Sequence, residues 1–210
     1  YPHALGVLRM LIEKALPVSL NTLIDAAWEA EKAVPGVTDH REELRQFFQD
    51  RLRVMLRDAG YTTLEVDAVL ALNPEKLDEL PKRLAAVRAF MALPEAEALT
   101  AANKRIGNIL KKIEGEVPTV VNEALLAEDA EKQLFAAIND VEPKALQHFA
   151  AGEYEQMLAT LAVLRGPVDS FFDNVMVNAE DPALRATRQA LLKRLYDVMN
   201  KVAEIARLAK

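Results

Sequence analysis

The feature that most limits what this chain can fold into is its punctuation. Apolar residues recur every three or four positions, and proline or glycine closes each run before any alternation of period two is established. That spacing gives each run one buried helical stripe, whereas a strand needs side chains that alternate between two faces. The pattern predicts an all-α protein built as a helical bundle. A first helix is expected around Ala4 to Ala15, stopped before Pro17, and a second from about Leu20 to Lys32, stopped before Pro35. Asp39 and Glu42 have capping-box spacing ahead of a longer helix in which Leu44, Phe47, Phe48, Leu52, Met55 and Leu56 share a broad apolar side before Gly60. Thr62 and Glu65 repeat that spacing, and Asn73-Pro74 reads as an N-cap with proline at the first helical position. Pro81 and Pro94 separate short helices from the long one in ALTAANKRIGNILKKIEG.

Charge is distributed unevenly over these helices. Lys104, Arg105, Lys111 and Lys112 fall in the second half of the long helix, where they complement its C-terminal dipole. From Ile113 to Glu155 ten Asp or Glu residues face only Lys132 and Lys144. Pro118, the Glu142-Pro143 step and Gly152 read as cuts, so this region is expected to be an acidic connector of short helices lying on the bundle. Near the end, in FFDNVMVNAEDPALRATRQALLKRLYDVMN, Asp181 can cap and Pro182 can occupy the first turn of a helix running almost to Lys210. Leu184, Leu191, Leu195, Val198, Val202 and Ile205 form its stripe, with Phe171, Phe172, Val175 and Val177 packed against it as core. Beside the stripe lie Arg185, Lys193, Tyr196 and Arg207. Pro182 to Lys210 holds seven Lys or Arg and two acids, a local +5 in a chain of net charge −6. A cationic face carrying a tyrosine can hold phosphates and stack on a base; a solvated end of an amphipathic helix is the plainer reading.

Several chemistries are excluded or unsupported. With no cysteine there is no disulfide, thiolate catalysis or cysteine-held metal. His3, His40 and His148 are far apart, and none has a histidine four residues away. No phosphate-binding glycine loop, HExxH or GxSxG occurs, and the many acid pairs have the spacing any helical chain shows. Asp173-Asn174 is the most unusual polar pair, because its neighbours are apolar; it reads as a turn or cap, with a ligand-facing role as the alternative. The net charge of −6 argues against indiscriminate coating of nucleic acid but leaves room for a local basic face. No apolar run has the length of a membrane span and no leader pattern opens the sequence, so a cytosolic protein with no membrane partner is expected.

Three stretches resemble a known family in the family's own order. GPVDSFFDNVMVNAEDPALRATRQALLKRL, Gly166 to Leu195, resembles the C-terminal signature of the beta subunit of bacterial heterotetrameric glycyl-tRNA synthetase. RLRVMLRDAGYTTLEVDAVLAL, Arg51 to Leu72, resembles a second stretch of that subunit, and Leu99 to Lys112 looks like the first long helix of a DALR-type anticodon-binding domain. Two departures accompany the match: a short basic stretch usual in the family is missing between Ala4 and Gly6, and Asn178 stands where an apolar residue is usual.

The resemblance implies three segments: an N-terminal body segment over 1–38, a helical connecting region over 39–95 and a DALR-type anticodon-binding domain over 96–210. It implies noncatalytic recognition of glycine tRNA by its anticodon arm, with the remainder of the beta subunit and a catalytic alpha subunit as partners in a heterotetramer. No cofactor is expected in this chain; ATP and Mg would belong to the alpha subunit. Carried onto matching positions, tRNA contact falls to Arg51, Arg53, Arg57, Lys104, Arg105, Lys111, Lys112, Arg185, Arg188 and Lys193. Tyr61 and Tyr196 are the stacking residues, and Asp173 and Asn174 the readers of base identity. The competing reading is a helical docking scaffold whose charged surfaces meet protein. A helical enzyme ranks third.

Overall fold

The computed structural model describes residues 2–210. They form α1 (Pro2–Glu13), α2 (Leu20–Glu31), α3 (Arg41–Asp58), α4 (Thr63–Leu70), α5 (Leu80–Met91), α6 (Ala96–Lys111), α7 (Asp129–Ala150), α8 (Tyr154–Ala162), α9 (Arg165–Asn174) and α10 (Pro182–Met199). Short 3-10 turns follow at Leu77–Glu79, Glu123–Leu125 and Ile205–Leu208, and no strand forms among the described residues beyond one isolated bridge between Ser19 and Lys76. The all-α expectation is met. The chain divides into two compact units, Tyr1–Leu84 and Ala85–Lys210, with the division inside α5.

In unit 1, α1 and α2 both pack on α3, and Leu8, Ile24, Leu52, Leu56, Val66 and Leu80 form the buried centre. The Thr62 hydroxyl accepts the Glu65 N–H at 3.2 Å while the Glu65 carboxylate accepts the Thr62 N–H at 2.8 Å, so the expected capping box starts α4. Gly60 closes α3 at φ +100°, where the Tyr61 N–H reaches the Leu56 carbonyl at 3.2 Å and the Gly60 N–H reaches that of Arg57 at 2.9 Å.

Two cap expectations for this unit fail. Asp39 makes no capping box with Glu42; His40 is the N-cap, and Asp39 instead accepts from the Arg41 N–H at 3.1 Å and from its guanidinium. That guanidinium holds the Asp39 carboxyl down at about 2. Asn73-Pro74 starts no helix, because Asn73 takes a left-handed φ of +48° and accepts from the Gln49 amide at 3.0 Å. Arg45 reaches back to Asp25 at 2.7 Å and to Asn21 at 3.1 Å, fastening α2 to α3 within one unit.

In unit 2, α6, α7, α9 and α10 surround a core that includes Leu99, Ile106, Leu134, Ile138, Phe171, Leu191 and Leu195, with α8 laid on α7. The acidic connector proves to be a core element. α7 runs 22 residues straight through Pro143, burying Ala130, Leu134, Ile138, Val141 and Ala145 at helical spacing. Proline deletes one backbone hydrogen bond and crowds the preceding turn. Here α10 braces the turn that precedes the proline: Arg194 donates to Glu142 at 3.0 Å and to Asn139 at 2.7 Å.

α10 starts as expected, with the Asp181 carboxylate accepting the Ala183 N–H at 2.9 Å and Pro182 in the first turn. It ends at Met199, well short of Lys210. Asn200 supplies the stop: its amide donates to the Tyr196 carbonyl at 2.8 Å and its oxygen accepts the Ile205 N–H at 2.9 Å, a local alternative to helical bonding. The turn lets Val202 and Ile205 remain buried, and Asn178 is exposed in the bend before α10.

Candidate nucleic-acid interface

On α6 a cluster of cations is left unmatched. Lys104, Arg105, Asn108, Lys111 and Lys112 are exposed along one side, while Leu99, Ala102, Asn103 and Ile106 are buried on the other. None of the four cations has a carboxylate partner among the described residues. The dipole accounts for Lys111 and Lys112 but not for Lys104 and Arg105, which lie about two turns inside the end, beyond the last turn where that effect operates. The buried side is pinned. The Asn103 amide oxygen accepts the Ala206 N–H at 3.1 Å, tying α6 to the C-terminal 3-10 turn.

Two aromatic rings border the exposed arc. At roughly 100° per residue Gly107 and Arg105 stand about 160° apart, with Lys104, Asn108, Lys111 and Lys112 between them. On the Gly107 edge the Tyr196 ring of α10 lies so close that a Cβ there would meet its Cε2 at 3.3 Å. Tyr196 is half-buried, and burial followed by the Glu204 carboxylate raises its hydroxyl above the ordinary tyrosine value. On the other edge the Arg105 guanidinium sits 4.3 Å from the centroid of the Phe172 ring. Phe172 is half-buried rather than core, and packs edge-on at 5.5 Å against fully buried Phe171. Asp173 and Asn174 are exposed at the end of α9. Asn174 donates to the Ser170 carbonyl at 2.8 Å, so it satisfies a carbonyl rather than an amide.

The cations of α10 are employed inside the fold. Arg188 is 5% exposed, and its guanidinium donates twice to the fully buried Glu131 carboxylate, at 3.0 Å each, and once to the Met176 carbonyl at 2.6 Å. Burial pushes the Glu131 carboxyl up, but Arg188 and the N–H groups of Glu128 and Ala127 outweigh it and hold the acid below its ordinary value. Arg185 donates to the Ala179 carbonyl at 3.0 Å, and Lys193 to Asp197 at 2.6 Å. Arg188 thus acts as a strut inside unit 2, its guanidinium spent on Glu131 and Met176.

Four of the fourteen residues expected to touch RNA lie in unit 1 and ten in unit 2. In unit 1 the Arg51 guanidinium covers the Phe47 ring at 5.2 Å, Arg53 is paired with Asp67, and Arg57 and Tyr61 line a shallow depression with Val54 and Thr62. Among the described residues no group of His, Cys, Asp or Glu could hold a metal ion, and no helix is long and apolar enough to cross a membrane.

The DALR anticodon binding domain matches residues 99–206, the part of the chain that contains α6 to α10. The chain belongs to the DALR anticodon-binding family. Ahead of it, residues 2–71 match the glycyl-tRNA synthetase beta subunit family. Curated relatives agree with both. The chain is 60% identical over 207 residues to a glycine–tRNA ligase beta subunit of Leptothrix cholodnii, covering 99% of this chain and 29% of that protein. It is 55% and 53% identical to those of Delftia acidovorans and Thiobacillus denitrificans, with the same coverage of each. The chain thus spans about 29% of the length of the curated relatives it matches. Within the DALR region, sequence reasoning missed Phe172 and Asn108 as surface groups. The run of exposed cations on α6 was the signal that would have found Asn108; nothing local announced that Arg105 would cover Phe172.

Proposed function

We propose that this chain is the noncatalytic tRNA-recognition part of a glycine–tRNA ligase beta subunit and that it meets the anticodon arm through the exposed arc of α6. The observation that carries the reading is the set Lys104, Arg105, Lys111 and Lys112, four exposed cations clustered at the C-terminal half of α6 without carboxylate partners among the described residues, the one acid on that side, Glu97, lying about two turns earlier. Phosphate oxygens are the natural complement of such a row, and the bordering rings suit the unpaired bases of a loop. The family match to an anticodon-binding domain supports the same region. In this reading a catalytic alpha subunit binds ATP, Mg and glycine, the two subunits assemble as a heterotetramer, and the enzyme works in the cytoplasm. The test is a salt titration of the chain's binding to a glycine tRNA and to a transcript with its anticodon exchanged. Salt-sensitive binding that prefers the native anticodon is expected; equal binding to both transcripts would reduce the interaction to backbone attraction and overturn recognition.

A docking role is favoured for unit 1 by a specific observation. Leu44 and Val54, 37% and 53% exposed, share one side of α3 with Phe47 and Arg51. The remainder of the longer subunit is the proposed occupant. Leu44→Glu with Val54→Glu should lower recovery of the assembled synthetase while leaving tRNA binding by this chain unchanged; undiminished assembly would overturn the role.

A further inference from the structure

Arg105 differs from the other three cations of the α6 arc in what holds it. Lys104, Lys111 and Lys112 are single charges on flexible stems, whereas the Arg105 guanidinium is laid over Phe172 at 4.3 Å. Phe172 in turn cannot swing away freely, because its ring packs edge-on against Phe171, which is fully buried in the core of unit 2. The planar group is thus fixed at one face while the residue as a whole remains exposed. A charge meant only to attract phosphate gains nothing from this arrangement. A flat cation immobilised on a ring offers a second flat surface, and guanidinium planes stack on nucleobases as aromatic rings do.

We propose that Arg105, backed by Phe172, is the seat for one unpaired nucleobase of a single-stranded loop. The inference rests on the RNA-binding reading above and goes beyond it by assigning a base-stacking site that is separate from phosphate attraction. A paired base in a duplex has both faces covered by its neighbours, so the seat selects a base that has left the stack. Lys104 lies beside Arg105 on the same arc and is placed to hold the phosphate of that nucleotide or the next.

The decisive experiment pairs Arg105→Lys with abasic substitution at each unpaired position of the anticodon loop of a glycine tRNA, measured on the full chain. Lysine preserves the charge and removes the plane. The affinity should fall roughly fivefold or more in Arg105→Lys with the salt dependence unchanged, the range for loss of one stacked base. One abasic position should cost the wild-type chain a similar factor and the variant almost nothing further, because both changes remove the same contact. Phe172→Leu, which leaves Arg105 in place without its support, should weaken the same position and no other. Unchanged affinity in Arg105→Lys, or abasic and Arg105→Lys effects that multiply at every position, overturns the seat. The broader reading is judged separately by Lys104→Glu with Lys111→Glu: if these variants bind normally, the α6 arc is not the contact, whereas a loss there with normal binding by Arg105→Lys removes only the seat.

Discussion

α6 and α10 look alike as sequences, each an amphipathic helix carrying a cluster of basic residues, yet they use those residues in opposite ways. On α10 the side chains turn inward or along the helix. Arg188 neutralises buried Glu131, Arg194 braces the turn of α7 before Pro143, Arg185 holds the bend at Ala179 and Lys193 pairs with Asp197. On α6 the same charge is left facing solvent. A count of basic residues cannot separate these roles, because the deciding quantity is whether an acid lies within reach after folding. The +5 between Pro182 and Lys210 points to the helix whose charge is largely spent, while the cations of α6 read as dipole compensation.

The sharpest way to break the contrast is to remove a strut. Arg188→Ala strands the fully buried Glu131 carboxylate and should destabilise unit 2 by about 3–5 kcal/mol, read from urea unfolding followed by a unit 2 probe. A loss under about 1 kcal/mol would mean that Arg188 is not the support described here. The next effect belongs to the same pair and depends on pH. Glu131 titrates below its ordinary value of 4.5 in the folded state, so its stabilisation is complete above the unfolded value and is lost as pH falls through the lower folded one. Unfolding midpoints taken from neutral pH into acid should show this loss in the parent. Glu131→Gln should abolish that component, and a pH response that survives the substitution would assign it to other carboxylates.

The α6 prediction is smaller in energy and appears in binding instead. Lys104→Glu with Lys111→Glu should weaken tRNA binding by about tenfold or more at low salt and flatten the logarithmic salt slope by about 1.5. Folding stability should stay within about 0.5 kcal/mol. A matching loss of stability would show that α6 resembles α10 after all. Smallest of all, Lys193→Ala should cost about 0.3–0.5 kcal/mol of stability, the worth of one exposed i,i+4 pair, and leave tRNA affinity within about threefold. A larger fall in affinity would return the α10 face to the interface.

Local chemistry was legible where the deciding atoms are close in sequence. The Thr62/Glu65 box, the Gly60 stop, the Asp181-Pro182 start and the buried stripe of α10 all depend on residues within a turn or two. The failures share the opposite property. Pro143 stays inside a helix because Arg194, far along the chain, grips Asn139 and Glu142; Arg188 is withdrawn from solvent because Glu131 waits in another helix. Asn73 and Asn200 failed differently. Each could cap, turn or stop a helix, and tertiary placement chose among these local options. For the site, α6 as a basic element was readable, but the pairing of Arg105 with Phe172 joins residues of different helices and no periodicity encodes it.

The cationic arc of α6 also bears on how quickly a partner is found, apart from how tightly it is held. In a chain of net charge −6, a polyanion is repelled on average and attracted where α6 faces it. Most collisions are therefore turned away before contact, and those that survive arrive already oriented. Such a patch works as a filter on encounter geometry, effective over about a Debye length and fading as salt shortens that reach.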